Sequence, residues 1–299
     1  MATEKAISDS IPLFFKKISS RKLMISSEIF VIAMVAALAA TYHFIFGGNT
    51  SYWIVLIALI GFALSIMDSS MGMGYGTIGS PLLIILGFSS KVVVPSILFS
   101  QAVAGIIAVT LHQRYKNVNI LLKGNDLGIV ARLIMFGLTG TIIASFVIIN
   151  ISKLYLNMYI GILIACMAVV TLAGLNFRFS WSKVNILSII SGFNKALSGG
   201  GYGPVATTGL LISGNPLRNT VGATLFSMIF INLTAFGIYL STKSLSSMEL
   251  PIFLTIGALV GSQIGPGITG KMGSRNSRRI FSVIALVLGI LTIVLTLTK

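Results

Sequence analysis

The chain has 299 residues, 55% of them hydrophobic and 9% charged, with a mean hydropathy of +0.98. A soluble domain carries about 25% charged residues, so a soluble globular protein is excluded and an all-α polytopic membrane protein is expected. A β-barrel would show short alternating segments, and none are visible. The net charge of +15 sits in short loops between apolar runs. It reads as a membrane topology signal, and no nucleic-acid partner is expected.

Residues 1–28 are polar and mixed, with Lys16, Lys17, Arg21 and Lys22 toward their end. They are expected to form a cytoplasmic tail. Residues 29–46 are the first apolar run and are expected to be an extra transmembrane helix outside the repeated unit. A signal peptide is the alternative, because Ala37-Leu38-Ala39 resembles a cleavage site. The preceding region is long for that and contains Glu4, Asp9 and Glu28.

Residues 52–87 form 36 residues without a solvated loop. One helix of that length would reach about 54 Å, against a hydrocarbon core of about 30 Å. A full arm followed by a shorter returning arm fits better. The glycine-rich break at 72–76 then lies inside the membrane, and 77–86 is a half-helix. Spans are expected at 92–111, 127–150 and 158–175. The second copy opens with an arm over 183–197, a break at 198–203 and a half-helix over 204–212. Pro204 suits a helix's first turn, where its missing N–H costs nothing. Further spans are expected at 217–240, 250–270 and 280–297. Gly257, Gly261 and Gly265 repeat a spacing that lets helix backbones approach closely, and Gly137 and Gly140 hold a comparable place in the first half. Cys166 stands alone in an apolar run, so no internal disulfide forms and a packing role is expected. No zinc pattern is present and no cofactor is expected.

The two breaks are copies of one element. Residues 67–101 align without a gap on 194–228 at a constant offset of 127. Gly72, Gly74, Tyr75 and Gly76 fall on Gly199, Gly201, Tyr202 and Gly203, and Leu98-Phe99-Ser100 falls on Leu225-Phe226-Ser227. Duplicated, glycine-interrupted apolar segments are the best sequence pointer to a transporter's binding site; packing of a glycine cluster is the alternative. With the N-terminus inside and both elements re-entrant, the inside holds the tail, Arg114 to Lys123, Arg178, Lys183, Arg218, Lys271, Arg275, Arg278 and Arg279. The outside holds Lys91, Lys153, Lys243 and Lys299. That asymmetry obeys the positive-inside rule. It makes residues 52–175 and 183–298 an inverted-topology repeat, with breaks meeting near the midplane.

An interrupted helix exposes backbone N–H groups at the start of its second piece, a ready anion site. Gly74, Tyr75, Gly76 and Thr77 in the first copy, and Gly201, Tyr202, Gly203 and Thr207 in the second, are therefore candidate substrate-binding residues. Ser70, Ser80, Asn194, Ser198 and Thr208 offer further hydroxyls and amides, with local backbone bonds as the alternative. Asp68 and Lys195 occupy equivalent positions before the two breaks. A charge at mid-span costs roughly 2.5–3.5 kcal/mol on insertion scales, so it faces a cavity or a partner. Either they form one ion pair, or Lys195 serves the anion and Asp68 serves proton coupling or gating. Gln101, Asn232 and Gln263 are polar side chains within later spans, and Gln101 and Gln263 are expected to line the pathway or to link helices. Ser100, Thr224 and Ser227 are also expected to face the path. Arg132 is expected to snorkel toward the cytoplasmic face.

These residues resemble the sulfite exporter TauE/SafE family, also called the toluene sulfonate uptake permease family. The resemblance rests on Gly72-Met73-Gly74-Tyr75-Gly76 through Gly87, and on Gly199-Gly200-Gly201-Tyr202-Gly203 through Gly214. Val221-Gly222-Ala223-Thr224-Leu225 matches the family's helix start, and Val94-Pro95-Ser96-Ile97-Leu98 departs from it at Pro95. The tyrosines are expected to narrow or reshape the site. The resemblance implies a plasma-membrane permease for small sulfur-containing anions such as sulfite or sulfonates, working by alternating access. An anion channel would share the site. An intramembrane enzyme is disfavoured, since His43 and His112 stand near span ends without partners at metal spacing.

Overall fold

The computed structural model describes residues 52–117, 125–173, 181–212, 217–241, 248–272 and 275–298. The expected tail and the helix over 29–46 lie outside the described residues. So do Lys123, Arg178, Lys243 and Lys299, and the side chains of Thr208, Lys271, Arg275 and Arg278.

Among the described residues ten helices follow in chain order: α1 Tyr52–Met71, α2 Tyr75–Ile85, α3 Ser90–Arg114, α4 Asn125–Asn150, α5 Lys153–Ala173, α6 Trp181–Ser198, α7 Tyr202–Ile212, α8 Leu217–Ser241, α9 Glu249–Met272 and α10 Arg275–Leu297. Seven of them are long and apolar enough to cross a membrane: α1, α3, α4, α5, α8, α9 and α10. At 1.5 Å per residue the 20-residue α1 reaches about 30 Å, whereas the 11-residue α2 and α7 reach only about 16 Å. A full-length helix followed by a short one is therefore present at the first break. The half-helices begin at the tyrosines, earlier than expected. Tyr75 and Gly76, like Tyr202 and Gly203, are first-turn residues, and the breaks themselves are residues 72–74 and 199–201. The last residue of each break explains why glycine stands there: Gly74 has φ 132° and Gly201 has φ 79°, conformations that L side chains rarely adopt.

The glycine spacings mark the helix seams. A Cβ on Gly257 would stand 1.7 Å from the Ala58 carbonyl oxygen, one on Gly261 would stand 2.3 Å from that of Phe62, and one on Gly265 would meet Ser69. These contacts rise together along both helices, so α9 packs on α1 in parallel. In the first copy a Cβ on Gly140 would stand 1.9 Å from the Ile189 carbonyl oxygen, and one on Gly192 of α6 would stand 1.9 Å from that of Gly137. Each copy's first helix thus packs on the other copy's fourth, α1 on α9 and α6 on α4. Without a hydrophobic driving force inside lipid, such close backbone packing is what holds helices together. The outward faces carry apolar side chains such as Met135, Phe146, Ile186, Val287 and Leu297, which suits a lipid surround. Arg132 lies 4.4 Å over the Trp181 ring and donates to Asn185, tying α4 to the start of α6.

At its far end α3 is clamped by a polar group that its sequence does not advertise. His112 is buried. Its Nε2 donates to the Ser69 carbonyl of α1 at 2.7 Å, and its Nδ1 accepts from the Asn117 amide at 3.1 Å. The same amide donates to the Pro266 carbonyl of α9 at 2.9 Å.

Candidate functional site

The two breaks touch each other, and they do so reciprocally. A Cβ on Gly76 would lie 1.6 Å from the Gly199 carbonyl oxygen. One on Gly203, its counterpart 127 residues on, would lie 2.4 Å from that of Gly72. Ser80 Oγ donates to the Ser198 carbonyl at 2.5 Å, and its counterpart Thr207 donates through Oγ1 to the Gly72 carbonyl at 3.0 Å. Thr77 Oγ1 accepts from the Gly201 N–H at 3.5 Å. Only glycine allows this approach of backbone to backbone, which is why both breaks are built from it.

The tyrosines do not project between the breaks. Each is fully buried, and each ties its half-helix to the helix that follows. The Tyr75 hydroxyl shares a hydrogen bond with Ser100 Oγ of α3. The Tyr202 hydroxyl donates to Ser227 Oγ of α8 at 3.2 Å. The spacing from tyrosine to serine is the same in both copies. Ser100 and Ser227, read from sequence as facing the pathway, thus anchor the tyrosines.

Asp68, Gln101 and Lys195 form one buried chain across the contact, exposed by 5%, 4% and 1%. Gln101 Nε2 donates to Asp68 Oδ2 at 2.6 Å, and Lys195 Nζ donates to Gln101 Oε1. The two charges fix the orientation of the amide between them: its NH2 faces the carboxylate and its oxygen faces the ammonium. Gln101 is thus a bridge between two helices carrying opposite charge. Gln101 Nε2 also lies 3.7 Å from the sulfur of Met228, its own counterpart. Equivalent residues that touch each other are what an internal two-fold relation produces. The chemistry placed there is asymmetric, with a carboxylate on one side and an ammonium on the other.

That asymmetry extends to the half-helix ends. The Asp68 carboxylate accepts the backbone N–H of Tyr75, the first residue of α2. It sits where a bound anion would, at the positive end of a helix. Lys195, its counterpart, instead donates to the Gly199 carbonyl within the second break. Every charge here is paired by the chain itself. A solute anion arriving at Lys195 would compete with Gly199 and Gln101.

Asn194 accepts from the Tyr159 hydroxyl, which joins α6 to α5, while Ser198 Oγ and Ser70 Oγ bond locally to backbone. Gln263 is half-buried on α9, and no hydrogen bond joins it to this chain among the described residues. Asn232 on α8 is fully buried, and neither its Nδ2 nor its Oδ1 finds a partner among the described residues. Each unpaired buried group of this kind costs about 1–3 kcal/mol. No group of three or more His, Cys, Asp or Glu suited to a metal occurs among the described residues.

The chain is 26% identical over 182 residues to the probable membrane transporter protein YtnM of Bacillus subtilis strain 168, a match covering 56% of this chain and 58% of that protein. The matched part is thus little more than half the length of that relative. No solved structure matches the chain. The family model for sulfite exporter TauE/SafE matches residues 57–292, which includes both breaks, both half-helices, five of the seven long spans whole and most of the first and the last. The chain belongs to the sulfite exporter TauE/SafE family of membrane transporters.

Proposed function

We propose that the chain is a secondary transporter for small sulfur-containing anions, such as sulfite or organosulfonates, in the cell membrane. The observation that carries this reading is the reciprocal contact of two broken helices around Asp68, Gln101 and Lys195. The breaks, in contact in this state, part to admit the anion between them. Lys195 supplies the charge, and the freed amides at the start of α7 supply hydrogen bonds. Residues 52–175 and 183–298 are inserted in opposite directions, with the N-terminus cytoplasmic, and rock against one another to alternate access. Asp68 acts as the gate. Its carboxylate holds the α2 terminus until a proton or a solute anion displaces it, which makes the proton the natural coupling ion.

Counterflow in proteoliposomes tests the mechanism. With unlabelled sulfite inside, labelled sulfite is expected to enter saturably and overshoot its equilibrium level. Flux that rises linearly with concentration, without overshoot, would indicate an anion channel built on the same site. No flux of any sulfur oxyanion or sulfonate would remove the solute class.

A further inference from the structure

We propose that Asn232 is a specificity-determining contact for the solute, and that its amide takes a hydroxyl or protonated oxygen carried beside the anionic head. The inference rests on the anion-transport reading above and adds the second half of the solute.

The position of the amide follows from its neighbours on α8. Met228 meets Gln101 of α3 through its sulfur at 3.7 Å. The Ile229 side chain is what a Cβ on Gly105 of α3 would meet, at 3.2 Å. The Phe236 ring packs on Phe99 of α3 at 5.0 Å between centroids. Asn232 stands four residues from Met228 and four from Phe236, so it belongs to the same stripe and faces the same helix. Its amide therefore lies in the α3–α8 seam, one helical turn from the Lys195–Gln101–Asp68 chain. Its counterpart 127 residues earlier is Gly105, which has no side chain. The pseudo-symmetry that gives Tyr75 and Tyr202 matching serines gives Asn232 nothing.

Stability does not account for an amide there. Thr207, Thr224 and Ser227, buried nearby on α7 and α8, are all hydrogen-bonded, whereas both ends of Asn232 are unpaired. A leucine of similar size would fill the seam without desolvating a polar group. A primary amide presents donors and an acceptor side by side. A bare oxyanion offers acceptors alone and would satisfy only Nδ2. A hydroxyl satisfies both atoms at once. The solute that fits has a negatively charged oxyanion head for Lys195 and, about one helical turn away, a hydroxyl for Asn232.

The test compares 2-hydroxyethanesulfonate with propane-1-sulfonate, which have the same number of heavy atoms and differ in the hydroxyl. Binding to purified protein is read by thermal shift and calorimetry for the wild type, Asn232→Leu and Asn232→Ala. The wild type is expected to bind the hydroxylated sulfonate about tenfold more tightly, and both variants are expected to bind the two alike. Asn232→Leu without ligand is expected to melt about 3 °C above the wild type. Equal affinities in the wild type overturn the proposal. So does a preference retained in both variants, and so does an Asn232→Leu protein that melts lower. A wild type that transports sulfite but answers to neither sulfonate overturns the hydroxyl requirement. A wild type that answers to no sulfur anion overturns the transport reading beneath it.

Discussion

Gly76→Ala puts the contact between the breaks to a quantitative trial. The added Cβ would stand 1.6 Å from the Gly199 carbonyl oxygen and 2.8 Å from the Gly200 Cα, whereas ordinary contact begins at 3.4 Å. The obstacle is backbone on both sides, so no rotamer change relieves it, and the two tips must separate by roughly 2 Å. Overpacking in a close-packed interior costs about 1–3 kcal/mol and occasionally more; with backbone on both sides, the upper end, about 3 kcal/mol, applies. At about 2–4 °C per kcal/mol for a chain of this size, the midpoint should fall by about 6–12 °C. Gly237→Ala is the control, because a Cβ at Gly237 on α8 has nothing within 4 Å. It removes a glycine from a helix interior and should be neutral or stabilising by up to about 1 kcal/mol. Thermal melts in detergent, followed by intrinsic fluorescence, compare the two. A Gly76→Ala protein melting within a degree or so of Gly237→Ala would refute the close approach of the breaks.

Lys195→Met should weaken anion binding by tenfold or more in a thermal-shift titration with sulfite. It also strands the buried Asp68 carboxylate, at a cost of about 3–5 kcal/mol, so Asp68→Asn combined with Lys195→Met should melt well above Lys195→Met alone. A double variant no more stable than the single one would mean that the two charges do not depend on each other. Tyr75→Phe and Tyr202→Phe should each lower stability by about 1 kcal/mol while leaving the KM for the transported anion within about twofold. A large rise in KM would put the hydroxyls on the solute rather than on Ser100 and Ser227. His112→Leu should loosen the end of α3, and hydrogen exchange should rise locally around Asn117 and Ser69, leaving the exchange of α5 and α10 unchanged.

Much of this arrangement is legible in the sequence because the chemistry is duplicated. An interrupted apolar run that occurs once is ambiguous. The same Gly-Tyr-Gly at a fixed offset locates both breaks and sets α2 and α7 beside them. The Gly257, Gly261 and Gly265 spacing reads directly as a seam, although the partner, α1 rather than a neighbour in sequence, emerges only from the packing. Asp68 and Lys195 are conspicuous because charges are rare in apolar sequence. That Gln101 bridges them depends on α3 crossing between two helices far apart in the chain, and no local pattern encodes that. The tyrosine roles were within reach, since Tyr75 precedes Ser100 by the same interval as Tyr202 precedes Ser227. Their hydroxyls read from sequence as candidate ligands because a polar tip near a glycine break suits either role. The His112 clamp left no signal, as its acceptor is a backbone carbonyl. Gln263 shows the converse: a polar residue in a span need not join the central chain.

The most direct measurement is a structure with a heavy analogue of the solute. Selenite soaked into crystals and located by anomalous scattering marks one atom without ambiguity. The account predicts a single principal peak within hydrogen-bonding distance of Lys195 Nζ and the first amides of α7, with the Asp68 carboxylate moved or its bond to the Tyr75 N–H broken. A principal peak away from both breaks, with Lys195 still bound to Gln101 and Gly199, would contradict it.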